Sequence, residues 1–139
     1  MFSPRERRFY RWVFFAAAAY NVVWGTFVVL FPLAPFRWAG MAPPNYPELW
    51  QCIGMMVAVY GIGYAYVAAD PERYGPLALV GLLGKTFGPI GWVWAYFHGR
   101  LPAVSGLTIL TNDLAWWPLF IPFVWRTLTR PAQPETPNV

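Results

Sequence analysis

The sequence predicts an all-α polytopic membrane protein, a bundle of four transmembrane helices. Three observations carry this reading. The chain is 58% hydrophobic and 12% charged, whereas a soluble domain carries about 25% charged residues. Four apolar stretches each approach the roughly 20 residues that a helix needs to cross a bilayer. Aromatic residues make up 20% of the chain, with nine tryptophans, and such rings settle at membrane–water interfaces. A chain of 139 residues is enough for one domain, and one this small could not hide so much apolar surface in water.

The first span is expected over residues 8–31, stopping at Pro32. Its basic flank and apolar run imitate a signal peptide, but the run exceeds the usual h-region of about 7–15 residues, so it is read as retained. A proline-rich connector, Pro32 to Pro47, follows. The second span covers 48–69 and ends in the polar turn Asp70-Pro71-Glu72-Arg73. The third covers 76–97 and is broken by His98-Gly99-Arg100-Leu101-Pro102. The fourth covers 107–128, and residues 131–139 are expected to be a disordered tail. No tandem repeat and no second domain is evident.

Four spans put both termini on one side. That side gathers Arg5, Arg7, Arg8, Arg11, Arg73, Arg126 and Arg130, while the other holds Arg37 and Arg100. The positive-inside rule then places both termini in the cytoplasm. The net charge of +4 is a topology signal, so no nucleic-acid partner is expected. Cys52 and His98 are single, which leaves no internal disulfide and no metal site. The glycine-rich stretches match neither a phosphate-binding loop nor a dinucleotide fingerprint, and no cofactor is predicted.

Small residues mark packing faces in membrane helices. They recur at Gly81, Gly84, Gly88 and Gly91, at Gly54, Ala58, Gly61 and Ala65, and at Ala17, Ala18 and Gly25. These stripes are seams of one bundle or, for one of them, a seam of a homo-oligomer. Pro89, Pro118 and Pro122 lie inside spans and remove backbone hydrogen bonds there.

Ionisable groups at mid-membrane depth cost about 2.5–3.5 kcal/mol and are therefore functional candidates. Lys85 lies near the middle of the third span and Asp113 in the outer part of the fourth, with Glu48 at the outer mouth of the second. Asn21 with Trp24, Gln51, Asn112 and Trp116 complete a polar layer in the middle and outer half. Trp92, Trp116, Trp117, Phe87 and Phe120 are expected around it. Lys85 should pair with Asp113 or Glu48, although Asp113 sits higher by roughly 9 Å along the axis.

Leu30-Phe31-Pro32, Gly40 with Pro43, Pro47-Glu48-Leu49-Trp50-Gln51-Cys52-Ile53-Gly54 and Asp70-Pro71 together resemble the DoxX-like group of small four-helix bacterial membrane proteins. The resemblance covers about residues 21–106 and implies the fold and a bacterial inner-membrane location rather than a reaction. The blocks Gly84-Lys85-Thr86-Phe87-Gly88-Pro89 and Thr111-Asn112-Asp113-Leu114 belong to no assigned motif. Two functions follow from the polar layer alone: binding a small apolar molecule, or conducting protons or ions. A membrane enzyme acting on a lipid or isoprenoid would use Asp113 or Glu48 as acid/base and Lys85 to stabilise charge. An accessory subunit of a larger membrane complex is the third alternative. The bilayer is the partner common to all.

Overall fold

The computed structural model describes residues 2–129, so the tail predicted over 131–139 lies outside the described residues. Within them the chain is helical and has no strand. Helix α1 runs Pro4–Leu30, α2 Ala34–Trp38, α3 Pro47–Ala69 and α4 Leu77–Phe97. The fourth span is divided into a 3-10 turn Ala103–Ser105, α5 Gly106–Asn112, a second 3-10 turn Leu114–Trp116 and α6 Trp117–Leu128. Four helical segments, with Ala103–Leu128 counted as one, are long and apolar enough to cross a membrane.

The first span starts four residues earlier than its hydropathy suggests. Ser3 accepts a hydrogen bond from Glu6 N at 3.2 Å, and Glu6 Oε2 accepts one from Ser3 N at 2.8 Å. Pro4 opens the helix, where its missing N–H is no loss. This cap is written in Ser3-Pro4-Arg5-Glu6, but an apolarity criterion passes over charged residues. The connector is not wholly irregular: α2 forms in it, and Phe36 packs edge-on against Trp50 at 5.3 Å between centroids.

α1 and α3 form the tightest pair, and glycine makes it so. A Cβ on Gly25 would collide with Gly54 O and lie 2.6 Å from Ala58 N. One on Gly54 would lie 2.9 Å from Gly25 O, and one on Gly61 2.9 Å from Ala18 O. The backbones meet directly, as small residues at a helix seam allow. Gln51 Nε2 donates to Val29 O at 2.8 Å, capping a carbonyl left over at the end of α1. The predicted stripe on α4 is divided. Gly81 admits the Tyr64 ring and Gly88 admits the Asp113 carboxylate, whereas Gly84 and Gly91 face open space.

One end of the bundle is closed by an aromatic core of Phe2, Tyr10, Phe14, Tyr64, Phe120 and Phe123. Phe14, Phe120 and Phe123 are fully buried. The two ion pairs among the described residues, Arg7–Glu72 at 3.1 Å and Arg126–Glu6 at 2.7 Å, tie α1, the α3–α4 turn and α6 together at this end. The start of α1 and the end of α6 therefore share one end, as four spans require.

Replacing Gly25 with Ala should lower stability by about 1–3 kcal/mol, because backbone rather than a flexible side chain blocks the new methyl. Gly84→Ala should be neutral or stabilising by up to about 1 kcal/mol, since it meets nothing and helix interiors disfavour glycine. Reversible unfolding in mixed micelles compares the two.

Candidate functional site

The fourth span is broken at Asn112–Asp113, and the sequence explains the break. In a continuous helix Leu114 O would face the ring of Pro118, which has no N–H to give and clashes with that carbonyl. The chain resolves this by restarting: Asp113 leaves helical geometry at φ −120° and ψ −67°, and α6 begins at Trp117. Pro118 thus occupies the first turn of a new helix, where it removes nothing. The expectation that Pro118 removes a backbone hydrogen bond inside a span is corrected accordingly. Pro122 does lie inside α6, and Pro89 inside α4.

A break frees carbonyls, and side chains take them up. Trp116 Nε1 donates to Thr111 O at 3.0 Å. Lys85 Nζ donates to Asn112 O. In α4, Pro89 cannot donate to the carbonyl four residues before it, which is that of Lys85. Trp117 Nε1 donates to that oxygen instead, at 3.0 Å. The two spans are therefore stitched twice in opposite senses. The Lys85 side chain caps the break in the fourth span, and the Trp117 side chain caps the gap in the third. Lys85 also stands at the C-terminal end of α5, where the helix dipole favours a cation.

Three rings enclose the ammonium of Lys85, with centroids 5.8 Å away for Tyr64, 5.7 Å for Trp116 and 5.8 Å for Phe120. Faces of aromatic rings attract a desolvated cation. Lys85 is 3% exposed and Asp113 6%. No ion pair joins them, which corrects the expected contact. The axial lag between the two is covered by the lysine reaching the Asn112 carbonyl. Asp113 is held instead by Asn112 Nδ2, at 3.0 Å, and by the notch at Gly88. The side-chain oxygens of Asn21 and Asn112 are buried without a hydrogen bond.

The other predicted residues divide. Trp116 belongs to the layer through its ring and its indole N–H. Glu48 is exposed at the start of α3 and joins no ion pair among the described residues, so it is not a partner for Lys85. Gln51 caps α1. Phe87 is 64% exposed and does not surround the layer. Tyr64 was not foreseen there; only the notch at Gly81, one turn before Lys85, hints that a large ring crosses α4 at that level.

Trp92 and Trp24 turn out to serve a different feature. Beyond the polar layer, towards the end away from the chain termini, lies a half-open cavity of about 400 Å³. Trp24, Trp38, Trp50 and Trp92 line it, with Phe36, Met41, Leu107 and Thr108 among their neighbours. Thr108 lies one helical turn before Asn112, and Trp24 one turn after Asn21, so the floor of the cavity borders the polar layer. Trp92 is fixed by Nε1 donation to Ser105 Oγ at 2.9 Å, and Gly106 leaves room for its ring. No group of histidine, cysteine or carboxylate side chains among the described residues could hold a metal.

Lys85→Met should destabilise the protein by about 1–2 kcal/mol, because it leaves the Asn112 carbonyl buried and unpaired. Trp117→Phe should cost a similar amount by orphaning the Lys85 carbonyl. Asp113→Asn should cost less than either, since it breaks no ion pair. Unfolding midpoints of the three variants in one detergent test the order.

No family model, no curated protein and no solved structure matches the chain.

Proposed function

We infer that the protein binds a small, flat, apolar molecule taken from the membrane, and that the tryptophan-lined cavity is where it binds. The observation that carries this is the cavity itself. Its volume of about 400 Å³ falls within the range of small-molecule pockets, and its walls are chiefly aromatic and aliphatic. The polar layer supports binding over conduction. The Lys85 ammonium is spent on a carbonyl and three ring faces, and none of Lys85, Asn112 or Asp113 lines the cavity. The layer thus fixes helix register and forms the base on which the cavity stands.

The setting proposed for this activity is a bacterial inner membrane, crossed four times, with both termini cytoplasmic. The basic end formed by Arg5, Arg7, Arg8, Arg11, Arg73 and Arg126 supports that orientation. The cavity would then open near the outer interface, at the depth favoured by amphipathic rings such as Trp38 and Trp94.

Fluorene is a suitable probe of the cavity. It should quench tryptophan emission saturably in protein-loaded nanodiscs, beyond its partitioning into empty ones. Trp38→Ala, which removes a wall exposed enough to be dispensable for folding, should weaken this binding about tenfold. Absence of saturable quenching would overturn the binding reading. For orientation, a green fluorescent protein fused after Val139 should fluoresce, and alkaline phosphatase fused there should be inactive.

A further inference from the structure

The arginines at the end that carries the chain termini are unequally engaged. Arg7 pairs with Glu72 and Arg126 with Glu6. Arg73 lies over the Tyr74 ring, 5.2 Å from its centroid. Arg5, Arg8 and Arg11 are exposed, and no carboxylate pairs with them among the described residues. Asp70, the remaining carboxylate near this end among those residues, accepts from Glu72 N at 3.0 Å and Arg73 N at 3.1 Å, and so holds the α3–α4 turn.

The three unpaired arginines share a face of α1 with two exposed rings. At 3.6 residues per turn, Arg5, Arg8, Arg11, Trp12 and Phe15 fall within an arc of about 120°. Trp12 and Phe15 meet edge-on, with centroids 5.8 Å apart. Beside them a half-open groove of about 420 Å³ runs between α1 and α3, lined by Arg11, Trp12, Phe15, Ala65, Ala68 and Ala69. It exists because α3 presents only methyl groups where α1 presents rings. Arg11 is fixed at its mouth. Its Nε donates to Ala68 O at 3.1 Å, a carbonyl left over in the last turn of α3. Its two Nη groups donate to nothing among the described residues, which leaves them for an acceptor from outside.

The groove changes character in one direction. Arg8 and Arg11 stand at its charged end, and Phe15 lies about 6 Å further along α1, level with the apolar end. A small anion would use only the first end, and a hydrocarbon only the second. A phospholipid has both parts in this order. No carboxylate lines the groove to hold a choline or ethanolamine cation, so a headgroup with net negative charge fits best.

Resting on the membrane setting proposed above, but not on the tryptophan-lined cavity, we propose that this groove binds one anionic phospholipid. Arg11, with Arg8 one turn before it, donates to the phosphate, and an acyl chain lies along Trp12, Phe15 and Ala65. Basic pockets between helices at the cytoplasmic end are where such headgroups are held, and the planar guanidinium suits a phosphate.

The test is native mass spectrometry of the full chain in mixed micelles, with phosphatidylglycerol and phosphatidylcholine of identical acyl chains as probes. The first phosphatidylglycerol should bind about tenfold more tightly than the first phosphatidylcholine. Arg11→Gln should bring the ratio near one. Arg73→Gln removes a charge at the same end but outside the groove, and should leave the ratio unchanged. Ala65→Phe keeps every charge and fills the groove, and should weaken phosphatidylglycerol binding about tenfold. Equal affinities in the native protein, binding unmoved by Ala65→Phe, or an equal loss in Arg73→Gln and Arg11→Gln would overturn the lipid site. If Arg11→Gln does not fold, the native ratio and Ala65→Phe decide. The setting is checked separately by washing membranes that contain the full chain with alkaline carbonate. Release of the chain would overturn the setting and the lipid site together, whereas retention with equal lipid affinities would overturn the lipid site alone.

Discussion

Two backbone gaps face each other across the third and fourth spans, and each is closed by a side chain from the opposite span. Pro89 leaves the Lys85 carbonyl without its helical donor, and Trp117 supplies one. The restart before Pro118 leaves the Asn112 carbonyl free, and Lys85 takes it. Neither carbonyl keeps its donor within its own helix, and each takes one from the opposite segment. The need to satisfy both fixes the rotation and the height of α4 against the broken span. Asp113 then falls into the notch at Gly88, and Trp116 turns its ring over the ammonium.

From that stitch the rest of the bundle divides into two unlike halves. Towards the termini, rings form the core, with Phe14, Phe120 and Phe123 excluded from the surface. Two ion pairs hold that half closed, while the glycine seam of α1 with α3 runs beyond it to Gly25 and Gly54. Beyond the stitch, the chain enters the last span through a 3-10 turn and a helix of only seven residues. Short elements fill space less fully than a continuous helix would, and the cavity lies against them. The buried lysine accordingly has a supporting role. It holds the scaffold in register, as buried charges do in the best-attested cases, and the space above it is what a ligand would use.

Much of this was legible without the structure. Hydropathy is a local property, so the four spans could be read from composition and length, and their ends fell within about four residues. The cost of charge in lipid singled out Lys85 and Asp113, and small-residue spacing found the seam residues Gly25, Gly54 and Gly61. The partner of Lys85 was misjudged because charge suggests charge. The group that needed the ammonium was a neutral carbonyl, which no residue type announces.

The sequence by itself determined that four stretches are long and apolar enough to cross a membrane, which end carries the basic residues, and where along those stretches the polar groups fall. Each follows from side-chain chemistry summed along one stretch of chain. Tertiary structure alone decided that Lys85 meets Asn112 rather than Asp113, that Trp117 repairs the gap left by Pro89, and that Trp24, Trp38, Trp50 and Trp92 converge on one cavity. Those four tryptophans come from α1, α2, α3 and α4. Their convergence depends on how the helices are rotated against one another, and that rotation is fixed by packing and by backbone hydrogen bonds between distant segments.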